Sequence, residues 1–201
     1  MKYIKLAASF NFGEVTSVII ASILLPFLPI TPIQLLVQSL LYDIGQLTLP
    51  FDNVDKDSLK EPKKWDINSL KHFMLFMGPL SSSFDMIVFA SIWFIFGIRD
   101  AATFQTIWFS YGIVSNLIGM HIIRTAKIPF IQSNANKFVY SSSIILSIIA
   151  IVFPYTSLGH VIGLVTIPIS YLTIILGVPI LYCFMALLAK KIYIKKYHEW
   201  I

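Results

Sequence analysis

Long apolar stretches alternate with short clusters of basic residues along this chain of 201 residues. No Lys or Arg occurs in residues 6–55, 72–98, 100–123 or 138–189. A helix needs about 20 mainly apolar residues to cross a bilayer. The two long stretches therefore hold two spans each, and the two shorter ones hold one each. The pattern predicts six membrane-spanning helices, near residues 8–27, 32–50, 74–96, 104–122, 138–153 and 168–189.

The composition agrees with a membrane protein that lies in a lipid bilayer. Hydrophobic residues make up 57% of the chain and charged residues only 12%, whereas soluble domains carry roughly 25% charged residues. Cys183 is the single cysteine, which excludes a disulfide framework. We interpret the opening residues as mature chain, because polar residues interrupt the first apolar run. We expect one domain over residues 1–201, with a cytoplasmic loop at about 52–71.

The basic residues also predict how the chain is oriented. With six spans both termini lie on one side, and 14 of the 15 Lys and Arg residues fall on that side, leaving Arg99 on the other. The positive-inside rule then places both termini in the cytoplasm. The net charge of +5 follows from this asymmetry. We expect no nucleic-acid partner, because the charges flank membrane spans and do not form one basic face.

Two acidic residues interrupt the first two predicted spans. Glu14 precedes Pro26 by 12 residues and Asp43 follows Pro32 by 11, on either side of a proline-rich turn. At about 1.5 Å per residue, both carboxyls lie roughly 17 Å below the outer face of a hydrocarbon core about 30 Å thick. A charge at that depth is unfavourable unless it is paired or coordinated. We therefore expect Glu14 and Asp43 to meet.

The second predicted span has one polar face, which we expect to look into the bundle. Its members are Gln34, Gln38, Ser39, Tyr42, Asp43, Gly45 and Gln46. Ser39 lies one turn before Asp43, so its hydroxyl can join the same site. Two like charges in a low dielectric need a shared proton or a cation, and hard oxygen ligands suit Mg²⁺ or Ca²⁺.

The sequence therefore predicts a metal site made of Asp43, Glu14 and Ser39. The alternative is that both acids are protonated packing groups held by hydrogen bonds. Asp85 follows three serines in the third predicted span. For this acid a packing role and a role in the site are equally compatible with the sequence.

The segment NFGEVTSVIIASILLPFLPITPIQLLVQSLLYDIGQLTLPFDNVD resembles the fifth and sixth membrane helices of bacterial magnesium-transporting P-type ATPases. The resemblance continues through KEPKKWD, FMLFMGPLSSSFD, FQTIWF, HIIRTAKIPFIQS, PISY and KKIYIKKY, in that order, and covers essentially the whole chain. It implies an all-α membrane protein of six transmembrane helices, equivalent to helices five to ten of the family's transport domain. It also implies a multi-pass location in the bacterial inner membrane.

The same resemblance implies roles for single residues. Asp43 falls at the sixth-helix aspartate with which these pumps bind their cation. Glu14 falls at the fifth-helix position after N-x-G, where calcium pumps have Glu and magnesium pumps more often Asn. Ser39 stands where Asn is usual, and Tyr111 stands where the magnesium family carries an acid. The resemblance thus implies Mg²⁺ as the transported ion, at a site altered by these departures.

The family's catalytic motifs do not occur in this sequence. D-K-T-G, T-G-E and G-D-G-x-x-N-D are lacking, and so is the fourth membrane helix of the cation site. We expect no ATPase activity and no nucleotide site from this chain alone. Its implied partner is the N-terminal portion of such a pump, with four helices and the cytoplasmic domains, encoded separately or lost by truncation. The alternatives are a non-transporting remnant or structural membrane partner, or an independent small cation channel or carrier.

Reporter fusions test the predicted topology. Because the basic residues divide so unequally, a fusion after Arg99 is expected to report an outer location. Fusions after Lys64 and Lys196 are expected to report the cytoplasm. An outer location for the Lys196 fusion would contradict the six-span prediction.

Overall fold

The computed structural model describes residues 2–53, 66–197 and 200, and this part of the chain is almost entirely helical. It contains seven α-helices: α1 (Lys2–Leu24), α2 (Pro32–Gln46), α3 (Ile67–Ala90), α4 (Ala101–Ile123), α5 (Lys137–Val152), α6 (Ser157–Val161) and α7 (Leu172–Tyr197). No β-strand forms within the described residues. The predicted all-α fold class is confirmed. Most of the predicted loop at 52–71, from 54 to 65, lies outside the described residues.

Among the described residues, five helical segments are long and apolar enough to cross a membrane: Tyr3–Leu24, Ile67–Ile95, Ala101–Ile123, Lys137–Tyr155 and Ile169–Tyr197. The second of them is α3 extended by a π-helical turn over Ser91–Ile95. The second predicted span is the shorter α2, whose 15 residues extend over about 22 Å. These segments describe a multi-pass membrane protein. The count of six spans and the cytoplasmic termini remain predictions.

Side-chain caps determine where several helices begin. Thr31 and Gln34 form a capping box at the start of α2. The Thr31 hydroxyl accepts a hydrogen bond from the backbone N–H of Gln34 at 3.4 Å. The Asp66 carboxylate accepts from the Asn68 N–H at 2.9 Å and starts α3. That start precedes the predicted one because the first turn of α3 is polar, and hydropathy alone does not separate it from a loop.

Helix α4 forms the centre of the bundle. It packs against α7, α5 and α2, and almost all of its side chains are buried. Helices α5 and α7 instead expose rows of large apolar side chains, including Ile144, Ile148, Phe184 and Leu188. A helix that is apolar all round is stable only inside a bundle or a membrane. The arrangement therefore places α4 in the protein interior and leaves the other faces for lipid.

Helix α1 packs along α3 at very short range. A Cβ added to Gly13 would lie 3.1 Å from the carbonyl oxygen of Gly78, and one added to Gly78 would lie 2.5 Å from the Phe12 ring. Small residues allow two membrane helices to approach this closely. The two glycines thus set the spacing between α1 and α3.

Trp200 closes one end of the bundle, which we call the termini end because Lys5 also lies there. The Trp200 indole N–H donates to the Ile123 carbonyl at 2.9 Å, and Lys5 Nζ donates to the Trp200 carbonyl at 3.1 Å. The indole ring packs edge-on against Phe73 with centroids 5.0 Å apart. One residue thus joins α1, through its backbone carbonyl, to α3 and α4, through its side chain.

The opposite end, which we call the far end, is held by buried amides. Gln34 Nε2 donates to the Ile162 carbonyl at 3.1 Å, and Gln105 Nε2 donates to the Leu28 carbonyl at 2.8 Å. Arg99 lies at this end and stacks 3.8 Å from the centroid of the Trp93 ring. Arg99 is therefore separated from Lys5 along the bundle, as the charge pattern predicts.

A buried ion pair ties the turn after α2 to the end of α4. Arg124 Nη1 donates to Asp52 Oδ2 at 2.8 Å, and only 1% of the Arg124 side chain and 5% of the Asp52 side chain are exposed. Asp52 Oδ1 also accepts from the Asn136 N–H at 3.1 Å, at the start of α5. The Asp52 carboxylate therefore connects the ends of α2 and α4 to the start of α5.

Replacing this carboxylate tests its contribution. Asp52→Asn leaves the Arg124 charge buried without its counter-charge, and loss of one partner of a buried pair costs about 3 kcal/mol. We expect the free energy of unfolding in detergent micelles to fall by about this amount. Asp66→Asn is the matched control, because an exposed amide caps a helix as well as a carboxylate does. Equal free energies of unfolding for the two variants would contradict a stabilising role of the Asp52–Arg124 ion pair.

Candidate functional site

Glu14 lies half-buried on α1, and its carboxylate faces α2. It accepts a hydrogen bond from Gln38 Nε2. Gln38 is 2% exposed, and its Oε1 has no hydrogen-bonding partner among the described residues. The α1–α2 hairpin thus brings an acid and an amide together, where the sequence predicts two acids.

Asp43 lies on the exposed side of α2. It is near enough to Glu14 for the two carboxylates to interact electrostatically. Ser39, one turn away, is half-buried. The predicted polar face of α2 therefore divides in two: Asp43 and Ser39 lie at its outer edge, while the buried part consists of Gln34, Gln38, Tyr42, Gly45 and Gln46.

Asp85 of α3 is 9% exposed and lies inside the bundle. The Ser17 hydroxyl of α1 lies 2.5 Å from Asp85 Oδ2. Tyr111 of α4 is 1% exposed, and its hydroxyl lies near Asp85. The structure thus joins Asp85 to α1 and places it beside the residue that departs from the family pattern.

Glu14 and Asp85 share one small polar cavity between α1, α2, α3 and α4. Its polar lining consists of Glu14, Gln38, Ser81, Asp85, Ser115 and Asn116. Sequence reasoning did not identify Gln38, Ser115 and Asn116 as parts of one site. The available signal was the presence of amide and hydroxyl side chains in the middle of predicted spans, which must find polar partners in a membrane.

Gly112 of α4 forms the wall behind the Gln38 amide. A Cβ at Gly112 would lie 2.9 Å from Gln38 Nε2 and 3.1 Å from Gln38 Oε1. A contact below 3 Å requires the amide to shift. The glycine therefore makes room for the Gln38–Glu14 hydrogen bond.

The donor set is one of oxygen atoms. Carboxylates, amides and hydroxyls are the ligands that Mg²⁺ and Ca²⁺ prefer. Within residues 2–53, 66–197 and 200, no group of three or more His, Cys, Asp and Glu side chains forms a metal centre. Mg²⁺ needs about six oxygen ligands. The oxygen donors of Glu14, Gln38 and Asp85 are of the type that a hard cation prefers, and they are too few to complete its coordination.

These features define a helical multi-pass membrane domain with acids and amides in its interior. A family model described as "Cation transporting ATPase, C-terminus" matches residues 27–192. The chain belongs to this family, which confirms the resemblance found in the sequence.

Whole-length relatives agree with this assignment. The chain is 42% identical over 203 residues to a "Magnesium-transporting ATPase, P-type 1" of Salmonella typhimurium strain LT2, an alignment that covers 100% of this chain. It is 40% identical over 200 residues to the protein of the same description from Escherichia coli K12, with 98% of this chain covered. The chain spans 22% of the length of each of these relatives. It is thus homologous to their C-terminal membrane region.

Gly112→Ala tests the packing behind Glu14. The added methyl group displaces the Gln38 amide, and overpacking of this kind costs about 1–3 kcal/mol. We expect a lower unfolding temperature in detergent. Gly177→Ala in α7 is the control, because a Cβ there meets no atom within 4 Å, so alanine in a helix is neutral or stabilising. Equal unfolding temperatures of the two variants would show that the close packing of Gly112 does not position the Gln38 amide.

Proposed function

We propose that this chain forms the C-terminal transmembrane part of a magnesium-importing P-type ATPase in the bacterial inner membrane. In this proposal Asp43, Glu14 and Ser39 contribute to the intramembrane site of the transported Mg²⁺. The observation that supports it most strongly is the 42% identity to a magnesium-transporting ATPase along the entire chain. The geometry around Asp43 supports the same assignment independently.

Asp43 indicates where a partner belongs. Its carboxylate is exposed on the side of α2 that faces away from α4. A carboxylate facing lipid at this depth costs about 2.5–3.5 kcal/mol or more. A further membrane segment that covers Asp43 removes this penalty. We infer that the partner is the N-terminal portion of the pump, with its first four helices and cytoplasmic domains, and that it packs on the α1–α2 edge.

The residues of this chain supply only part of a magnesium coordination sphere. Glu14 is oriented by Gln38, and Asp43 is near enough to add a second negative charge. The Ser39 hydroxyl lies one turn from Asp43 on the same edge of α2. Because Mg²⁺ requires near-octahedral oxygen coordination, the remaining ligands come from the partner or from water. Phosphorylation and nucleotide binding also belong to the partner in this proposal.

A reconstituted complex tests the function. The chain is co-expressed with the N-terminal portion of a magnesium-transporting ATPase, and Mg²⁺-dependent phosphorylation from ATP is measured in membranes. Asp43→Asn keeps the side-chain shape and removes one charge, so the neutral amide replaces much less of the cation's hydration. We expect ion-stimulated phosphorylation to be lost. Glu14→Gln should weaken it and change the preference among divalent ions.

Asp66→Asn is the control, since Asp66 is an exposed cap at the start of α3 and is not part of the proposed site. It should behave as the unmodified chain does. Retention of normal Mg²⁺ dependence by Asp43→Asn would contradict the proposed site and would favour a packing role for both acids. Incorporation of phosphate from ATP by the chain without its partner would contradict the assignment of phosphorylation to the N-terminal portion.

A further inference from the structure

Helices α4 and α5 leave a groove of about 340 Å³ between them, which we call the α4–α5 groove. Leu117 and His121 of α4 form its buried floor, and Ile144 and Ile148 of α5 lie along its wall. The two isoleucines are 58% and 56% exposed, so the groove is continuous with the lipid-facing side of α5. None of the residues that line it belongs to α1 or α2. The groove is therefore separate from the proposed cation site.

The length of the groove matches one leaflet of a bilayer. Along α5 it extends from Tyr140 to Ile151, which at the rise of an α-helix is about 16 Å. The hydrocarbon core of a bilayer is about 30 Å thick, and each leaflet supplies half of it. Tyr140 marks the termini end of the groove, because α5 begins at Lys137. One acyl chain that enters from this surface has the length to fill the groove.

The polarity of the groove changes along its length. The part toward Ile151 is mainly apolar, whereas His121 and Ser143 lie together nearer the termini end, with His121 Nε2 3.0 Å from Ser143 Oγ. The Tyr140 ring stacks on the imidazole of His121 with centroids 5.3 Å apart. Tyrosine is enriched where a membrane meets water, because its ring is apolar and its hydroxyl polar. The polar end therefore lies where the glycerol and headgroup of a lipid are found.

Phe130 forms part of this polar end through an unusual backbone conformation. Its φ is 67°, a left-handed value that is rare for a bulky residue. The ring lies 5.3 Å from that of His121 and 5.7 Å from that of Tyr140, centroid to centroid, and Phe130 is 46% exposed. Such conformations are concentrated at binding sites, where they hold a group in a fixed place. The backbone thus directs an aromatic ring to the end of the groove where a lipid would enter.

The charge at this end suits a phosphate group. Lys137 is exposed and lies one turn before Tyr140, on the same side of α5. Asp52 is buried in its ion pair with Arg124, and no described Asp or Glu lines the groove. An ammonium group and a phosphate form charge-assisted hydrogen bonds. Lys137 is therefore complementary to the headgroup of a phospholipid.

We propose that the α4–α5 groove binds one glycerophospholipid. One acyl chain lies along Ile144 and Ile148, and the phosphate lies beside Lys137. A chain in the groove contacts two helices at once, so it gains more dispersion contacts than a lipid on a convex helix face. The bound lipid therefore exchanges more slowly than the lipids around it. This site does not depend on the proposed transport function.

Photo-crosslinking of the purified full chain tests the proposal. The chain is placed in phosphatidylcholine nanodiscs that contain a small proportion of phosphatidylcholine with a diazirine in one acyl chain, and the labelled peptides are identified by mass spectrometry. We expect labelling at Ile144 and Ile148 to be severalfold stronger than on the equally exposed row of α7, at Ile180, Phe184 and Leu188. This comparison needs no variant, so it does not depend on the folding of one.

Two serines of α5 provide a matched pair of variants. Ser147 lines the groove, so Ser147→Trp fills it, and labelling of α5 should fall to the level of α7. Ser141 is exposed and does not line the groove, so Ser141→Trp should keep the enrichment.

The headgroup contact is tested separately with a diacylglycerol that carries the same diazirine. Lys137→Gln should reduce labelling by the phosphatidylcholine and leave labelling by the diacylglycerol unchanged, because the diacylglycerol has no phosphate. Lys191→Gln, at an exposed lysine of α7, is the control and should change neither.

Three results would overturn the proposal. Equal labelling of α5 and α7 would show only the lipids that surround any membrane protein. Labelling of α5 that disappears when the chain dimerises, or when the N-terminal portion is co-expressed, would show that protein occupies the groove. A reduction by Lys137→Gln that is equal for both probes would exclude the phosphate contact.

Discussion

In the low dielectric inside a membrane an acid or amide is costly unless it is paired, and several contacts between the helices of this bundle follow from that constraint. Glu14 is held by Gln38, Asp85 by Ser17 and Asp52 by Arg124. Each of these pairs joins two different helices or their ends. Polar groups thus determine which helices neighbour one another, while apolar packing on α4 supplies the bulk of the contact. Asp43 is the exception, because it is exposed on α2.

Much of the fold could be predicted because the basic residues mark the ends of the apolar stretches. Lys and Arg are excluded from the hydrocarbon core, so their spacing separates the spans whatever the packing inside the bundle. The short helix α6 was not predicted, because the residues between the fifth and sixth spans are apolar and their turns depend on local caps such as Thr156. Sequence hydropathy does not contain that information.

The candidate site could be predicted only in part. Counting residues from the prolines placed Glu14 and Asp43 at one depth, where we expected the two acids to meet. The partner of Glu14 is nevertheless Gln38, because α2 turns the buried part of its polar face toward Gly112 of α4. The rotation of α2 depends on a helix that lies far along the chain, so a helical wheel cannot determine it. Asp85 escaped assignment for the same reason, since its contact with Ser17 follows from the close approach of Gly13 and Gly78.

Trp200 has a consequence for the order in which the bundle is assembled during synthesis. It follows the seven described α-helices, its ring packs against Phe73 of α3 and Tyr193 of α7, and its indole N–H bonds to the end of α4. The helices that enter the membrane earlier therefore lack these contacts until Trp200 has been synthesised. The contacts of Trp200 with α3, α4 and α7 therefore form only after α7 has been synthesised.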